Sequence, residues 1–206
     1  MAEHTPHIAP TLSPGGSLAG KYFDELYARA ADPWAFQTST YEAGKYAATL
    51  AALPREKYPA ALELGCSIGV LTRQLAPRCE QLVAVDFSKA ALDQARARCA
   101  DQPWVTFEQR DLATTFPRGL FDLILVSEIG YYFSAADLNK LRAKIAAALA
   151  PRGHVLLVHY TGETNYPLTA DAVHATFLGW KNAPWQCVRA ESAEGYRLDL
   201  LGKTAC

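Results

Sequence analysis

Apolar positions along this chain change their spacing near residue 60. Before it, Tyr22, Phe23, Leu26 and Tyr27 recur at helical intervals and predict a helix over 21–30. Asp32 and Pro33 break it, because proline disfavours a helical residue before it. A second helix is expected over 40–53, with Tyr46, Leu50 and Leu53 on one face and Pro54 closing it. After Pro59, short apolar runs at 60–64, 83–85, 105–109, 120–126 and 154–158 read as strands. Helical segments at 70–75, 89–99 and 135–149 separate them, and Pro151, Arg152 and Gly153 close the last. A further helix at 170–178 precedes a hairpin of 185–191 and 196–201 around Glu194 and Gly195. Strand–helix alternation predicts an α/β fold with a mostly parallel sheet, helices on both faces and right-handed crossovers. The hairpin adds an antiparallel pair, for seven strands. No internal repeat is evident.

Residues 1–18 carry Pro6, Pro10 and Pro14 with glycine and serine and lack apolar periodicity, which predicts a disordered tail. Residues 19–206 are then one domain, with 19–56 as N-terminal helices that form a lid. At 206 residues such a chain buries about 70% of its unfolded surface without metal or disulfide support. The net charge of −1 gives no case for nucleic acid or an anionic membrane, and no apolar run is long enough to span one. Neither a CxxC pair nor a secretory signal occurs, so Cys66, Cys79, Cys99, Cys187 and Cys206 are expected to be reduced thiols in the cytoplasm, with no metal site.

The densest chemistry lies at the end of the first predicted strand. Glu63 precedes a turn bounded by Gly65 and Gly69, and a helix follows at once. Such a turn presents ligand at the C-terminal edge of a parallel sheet, and glycine permits close approach. Asp86 ends the second strand about 20 residues on, where a carboxylate grips a ribose diol. A dinucleotide site fits poorly: the GxGxxG pattern is missing, and Glu63 would repel a pyrophosphate but favour a cation. His159, just after the fifth strand, stands where a base would act, with His174 as a second choice and Asp171 three residues before it.

In order, Glu63-x-Gly65-x-x-x-Gly69, Asp86, Arg110-Asp111-Leu112 and Phe121-Asp122-Leu123-Ile124 resemble the motifs of class I S-adenosylmethionine-dependent methyltransferases over about 58–160. The family's middle glycine is Ser67 here. Asp32-Pro33-Trp34, Leu62 to Cys66, Leu75-Ala76-Pro77-x-Cys79, Glu128 and Tyr131-Tyr132 narrow the resemblance to the nodulation protein S family, over about 22–158. It fades in the last 45 or so residues, where His159-Tyr160 and Tyr166-Pro167-Leu168-Thr169 depart from the family pattern.

The resemblance implies a Rossmann-like class I methyltransferase fold and S-adenosyl-L-methionine as cofactor, with S-adenosyl-L-homocysteine as product. It places the cofactor over Gly65, Cys66 and Gly69. Glu63 lends negative potential to its ammonium, Asp86 binds the ribose, Phe87 packs on adenine, and Asp111 and Leu112 meet its edge. Ser127, Glu128, Tyr131 and Tyr132 are expected beside the reactive methyl, with Trp34 as a lid over the cofactor. Glu128, Tyr132 and His159 are the catalytic candidates, and Tyr131, Tyr166 and His174 the candidates for acceptor contact. The implied acceptor is a small-molecule amine, such as that of an amino sugar, for a monomer or homodimer. Two alternatives stay open: O- or N-methylation of another small metabolite, and a catalytically silent cofactor-binding module.

Overall fold

The computed structural model describes residues 9–204. Seven strands, β1 (Tyr58–Leu64), β2 (Cys79–Asp86), β3 (Val105–Gln109), β4 (Phe121–Ser127), β5 (Leu149–Tyr160), β6 (Trp185–Ala193) and β7 (Tyr196–Lys203), form one sheet in the order β3-β2-β1-β4-β5-β7-β6. The first five run parallel; β7 is antiparallel to β5 and to β6. The chain leaves β1 toward β2 and β3, then returns to lay β4 on β1's other side. This reversal opens a crevice at the strands' C-terminal ends, where α/β sheets bind ligands.

Both faces of the sheet are covered, so the central strands are apolar on both sides. Leu62, Ile124, Val126 and Leu157 pack one way with Leu138, Leu141 and Ile145 of α5 (Ala135–Ala148) and Val173 and Phe177 of α6 (Ala170–Leu178). Leu123, Leu125 and Leu156 point the other way, toward Tyr46 of α2 (Thr40–Ala51) and Leu71 and Leu75 of α3 (Val70–Leu75). Helix α4 (Lys89–Arg98) packs beside β3, and α1 (Gly20–Arg29) reaches α4. Ser39, Ser88, Ser134 and Thr169 each cap the next helix by accepting an N–H three residues on.

Several boundaries differ from the sequence reading; β2, for one, begins at Cys79 rather than Val83. Strand β5 begins at Leu149 rather than 154, because a register irregularity opposite Phe121–Leu123, with Arg152 at φ 58°, absorbs the turn-like Pro151–Gly153 stretch into the strand. Pro59 lies inside β1 rather than ahead of it. Of the expected disordered tail, residues 1–8 lie outside the described residues, but 9–18 are ordered. Leu12 bridges Leu18, the Leu18 amide donates to the Tyr132 carbonyl (2.7 Å), and Ser17 Oγ donates to Asp137 (2.7 Å) while accepting from the Ser134 amide. Proline and glycine here bend a hook whose backbone bonds close within it and onto Tyr132 in the turn after β4, an order that carries no periodic signal. Cys206 also lies outside the described residues. Among those described, no helix is long and apolar enough to cross a membrane, and no cluster of three or more metal-ligating side chains occurs.

Candidate active site

A cavity of about 470 Å³ opens over the C-terminal ends of β1, β2 and β4. Its floor is Gly65, Ser67, Asp86 and Ile129; one end holds Phe87, Asp111 and Leu112; its roof is the 12–20 hook with Phe23, Tyr27 and Trp34. That volume suits a ligand of nucleoside size. Gly65 sits at φ 77°, and a Cβ there would lie 2.1 Å from Ile129 Cγ2. Only glycine therefore lets the turn pass beneath the cavity.

Asp86 ties the turn together. Its Oδ2 accepts from the Ser67 amide (2.8 Å) and its Oδ1 from the Ser88 amide (2.9 Å). A carboxylate offers about four acceptor positions, so two remain for a diol. Burial pushes the Asp86 carboxyl above the usual range, against the pull of these amides. Ser67 takes φ 49°, the left-handed conformation that glycine would adopt freely, and its Oγ lies 2.5 Å from Tyr27 Oη of α1. The serine thus keeps the turn and gains a link to the roof.

Glu63 lies beneath the turn, 2% exposed, in a small hollow with Cys66, Ser127 and Glu128. Among the described residues its Oε2 has no hydrogen-bond partner, and burial pushes its carboxyl up to about 8, opposed by Thr72 and aided by Asp86. Without a ligand, burial thus favours the protonated form of this carboxyl. A cation seated at the hollow would supply its missing partner. The orphaned oxygen beneath the turn, the diol-ready Asp86 and the cradle that a Cβ would fill together fit S-adenosylmethionine.

The other candidates divide. Phe87, Asp111, Leu112 and Trp34 line the cavity; Asp111 is exposed at its rim, with Oδ1 accepting from the Ala113 amide. Cys66 and Ser127 line the small hollow instead, and Gly69 lines neither: it caps α3 at φ 78° against Ala95. Trp34 stacks on Phe36 with ring centroids 5.5 Å apart.

Glu128 lines the cavity and both adjoining hollows. It stands at φ 57°, a strained conformation of the kind that concentrates at functional sites. Its Oε1 accepts from Lys45 Nζ (2.7 Å); its Oε2 accepts from Tyr131 Oη and from the Tyr160 amide (3.1 Å). Lys45 also donates to Glu42 (2.9 Å) and is 2% exposed. Burial alone would lower its ammonium pKa, but Glu128 and Glu42 reverse this and hold it raised. Sequence reading missed Lys45: Glu42 and Lys45, three apart on a helix, resemble a solvated surface pair. The signal was Glu42, Lys45, Tyr46 and Thr49 at spacings of three and four, a polar stripe on the buried face of α2. Tyr132 lines the cavity, and Tyr131 and Tyr166 wall the second hollow with rings stacked at 5.2 Å.

His159 and His174 do not reach the cavity. Both are fully buried. His159 Nε2 accepts from the Gly130 amide (3.0 Å) and its Nδ1 faces His174 Nε2 (3.1 Å), so neither ring nitrogen is available to an acceptor. Burial, then His174 and Lys45, hold His159 well below the usual histidine range. The sheet edge placed it correctly along the chain, but α6 and the segment after β4 cover it.

The profile of the nodulation protein S family matches residues 23–157. Nodulation protein S of Bradyrhizobium diazoefficiens is 36% identical over 125 residues, 58% of this chain and 58% of that protein. The Rhizobium tropici protein is 32% identical over 129 residues, 62% of this chain and 54% of its own length. The chain thus spans little more than half of these curated relatives. Among solved structures, a candidate methyltransferase from Pseudomonas syringae is 41% identical, with a TM-score of 0.71, over 80% of this chain and all of that one. The N-methyltransferase of Bradyrhizobium japonicum, crystallised with S-adenosyl-L-homocysteine, has a TM-score of 0.78 at 21% identity, over 89% of this chain and 97% of that one.

Proposed function

The chain belongs to the nodulation protein S family, and from that premise we propose that it transfers a methyl group from S-adenosylmethionine to the amine of a small molecule or amino sugar. The observation that carries the proposal is the turn flanked by Glu63 and Asp86, one orphaned buried carboxyl beneath it and one carboxyl beside it, under a cavity of about 470 Å³. Asp86 would hold the ribose, Phe87 and Leu112 the adenine, and Glu63 the amino acid's ammonium. The cofactor supplies an activated methyl on a sulfonium; the protein's task is alignment, which contributes most of the acceleration in such transfers.

The acceptor nitrogen must arrive neutral, since an ammonium has no lone pair. A sugar amine loses its proton near neutral pH, so bulk water at the open rim suffices. Glu128 then orients the nitrogen: Oε1 keeps a lone pair beside its bond to Lys45 and accepts one N–H of the amine. Tyr132, Trp34 and Phe36 flank that position with aromatic surface, which favours the charge that builds on nitrogen. N-transfer is favoured over O-transfer because a hydroxyl would need a base there, and His159 is sealed away. The silent-module reading rested on Ser67, and Ser67 preserves the turn. The protein is expected to act in the cytoplasm.

The test is turnover by purified protein with a panel of deacetylated chito-oligomers and small primary amines, reading S-adenosylhomocysteine and methylated product by mass spectrometry. N-methyl product supports the proposal. Tight cofactor binding with no product from any amine refutes it, and product only from hydroxyl acceptors transfers the assignment to O-methylation.

A further inference from the structure

Three fully buried polar side chains lie behind the site without touching it: His159 on β5, His174 on α6 and Asp199 on β7. They form a continuous line, Gly130 N–H to His159 Nε2 (3.0 Å), His159 Nδ1 to His174 Nε2 (3.1 Å), His174 Nδ1 to Asp199 Oδ2 (2.6 Å). Arg197 closes the outer end, donating to Asp199 Oδ2 from Nε (3.0 Å) and reaching the exposed Asp171 (3.0 Å).

One donor in this line is unambiguous. A backbone amide can only donate, so His159 Nε2 must be bare. A neutral imidazole then carries its proton on Nδ1 and gives it to His174 Nε2. His174 in turn carries its proton on Nδ1 and gives it to Asp199. Every proton in the line is thus fixed in direction by its two ends, an amide and a carboxylate. Burial, with the Lys45 charge nearby, keeps His159 neutral, as the line requires. The other groups facing it are the Tyr131 ring, edge-on at 5.4 Å, and the Gly130 backbone.

Gly130 opens a single turn, Gly130–Tyr132, that lies one residue beyond Glu128. A Cβ on Gly130 would lie 2.4 Å from Val173 and 2.8 Å from His159 Nε2, so the amide and the imidazole meet only because this residue is glycine. Tyr131 from the same turn donates to Glu128, and Tyr132 lines the cavity. Resting on the methyl-transfer reading above, we propose that Asp199, His174 and His159 are positioning residues: through the Gly130 amide they fix the turn that aims Glu128 and Tyr132 at the acceptor. They touch neither cofactor nor acceptor. The line explains why two histidines sit sealed beside a site that does not use them as bases.

The test begins with ring-nitrogen NMR of uniformly labelled protein at pH 7. Protons on Nδ1 of both His159 and His174, with a bare Nε2 on each, are expected; a proton on His159 Nε2 overturns the proposal. Two variants then separate positioning from packing. Leucine in His159→Leu fills space but accepts no hydrogen bond. Glutamine in His159→Gln places a carbonyl oxygen about where Nε2 stands. His159→Leu should lower kcat about tenfold to a hundredfold, the scale of a misplaced reacting group. Its affinity for S-adenosylhomocysteine and its acceptor KM should change less than threefold, and His159→Gln should recover most of the loss. Equal kcat in all three proteins, or a fall in cofactor affinity parallel to kcat, overturns the proposal. If His159→Leu fails to fold, the glutamine variant and the ring spectra still decide. The two readings fail separately: a wild type silent with every acceptor sinks the methyltransferase assignment, whereas the ring spectra of that same protein still judge the line.

Discussion

Cofactor binding should expel about half to nine-tenths of a proton at neutral pH, and Glu63 should be its source. The carboxyl is 2% exposed with an unpartnered Oε2, and burial raises it from 4.5 to about 8. At pH 7 about nine-tenths of such groups are protonated. A ligand ammonium in the adjoining hollow would favour the ionised form and release that proton. Ionising Glu63 at pH 7 costs about 1.4 kcal/mol, and a charge-assisted pairing returns about 1.5–3 kcal/mol. The net gain is therefore small at pH 7, tenfold in affinity or less, and grows toward pH 8. Titration calorimetry with S-adenosylhomocysteine, in phosphate and in Tris at pH 7, gives the proton count from the difference in heats. Below pH 7.5 the ligand's own amine stays mostly charged and interferes little. Glu63→Gln should abolish the release and flatten the pH dependence of Kd. The same variant should stabilise the cofactor-free protein. A folded-state pKa raised above the unfolded one lowers stability as pH rises between the two values, by about 3 kcal/mol at pH 7 as an upper figure. The glutamine amide, lacking a partner, takes back about 1–3 kcal/mol of that. No proton release with a Kd flat from pH 6 to 8 would refute the pairing and leave Glu63 a structural residue.

Three other outcomes are expected. Asp86→Ala should weaken S-adenosylhomocysteine binding by about 1.5–3 kcal/mol per lost ribose bond, roughly tenfold to a hundredfold each, in calorimetry on folded protein; unchanged affinity removes Asp86 from the site. Lys45→Met should destabilise the protein by about 3–5 kcal/mol, because it removes the ammonium that neutralises both Glu128 and Glu42, and adding Glu128→Gln should recover part of the loss in urea unfolding. His159, whose folded pKa is depressed, contributes stability that is present above its unfolded value of about 6.5 and is lost as pH falls below it. Thermal midpoints from pH 7 to 5 should therefore fall more steeply in wild type than in His159→Gln; parallel slopes would show that His159 titrates normally.

What the sequence made legible follows from what hydrophobic spacing can report. The central strands and the turn from Glu63 to Gly69 were readable because burial on both faces leaves apolar runs, and a turn under a ligand needs glycine; the exposed edge strand β6 was readable from the Glu194–Gly195 turn beside it. Helix α2 was readable as a helix, but its buried face was assigned to Tyr46, Leu50 and Leu53, and the buried Glu42, Lys45 and Thr49 were not singled out. Charge at helical spacing looks the same whether water or a partner from β4 neutralises it, and Glu128 lies 83 residues away from Lys45. His159 failed in the complementary way. Its place at the end of a central strand was right, but only the fold reveals that α6 and β7 bring His174 and Asp199 behind it. Both misreadings concern polar residues whose partners are remote in sequence, and both converge on residues 128–132, which carry a left-handed backbone at Glu128 and a glycine that no larger residue can replace. A segment held in such a conformation needs support from several directions. Here it is supported by Lys45 from one face of the sheet, by the His159 line from the other, and by the Leu18 amide from the N-terminal hook. Substitutions at these three supports, far apart in the chain, should consequently couple to one another more strongly than their separation predicts, since each acts on the same five residues.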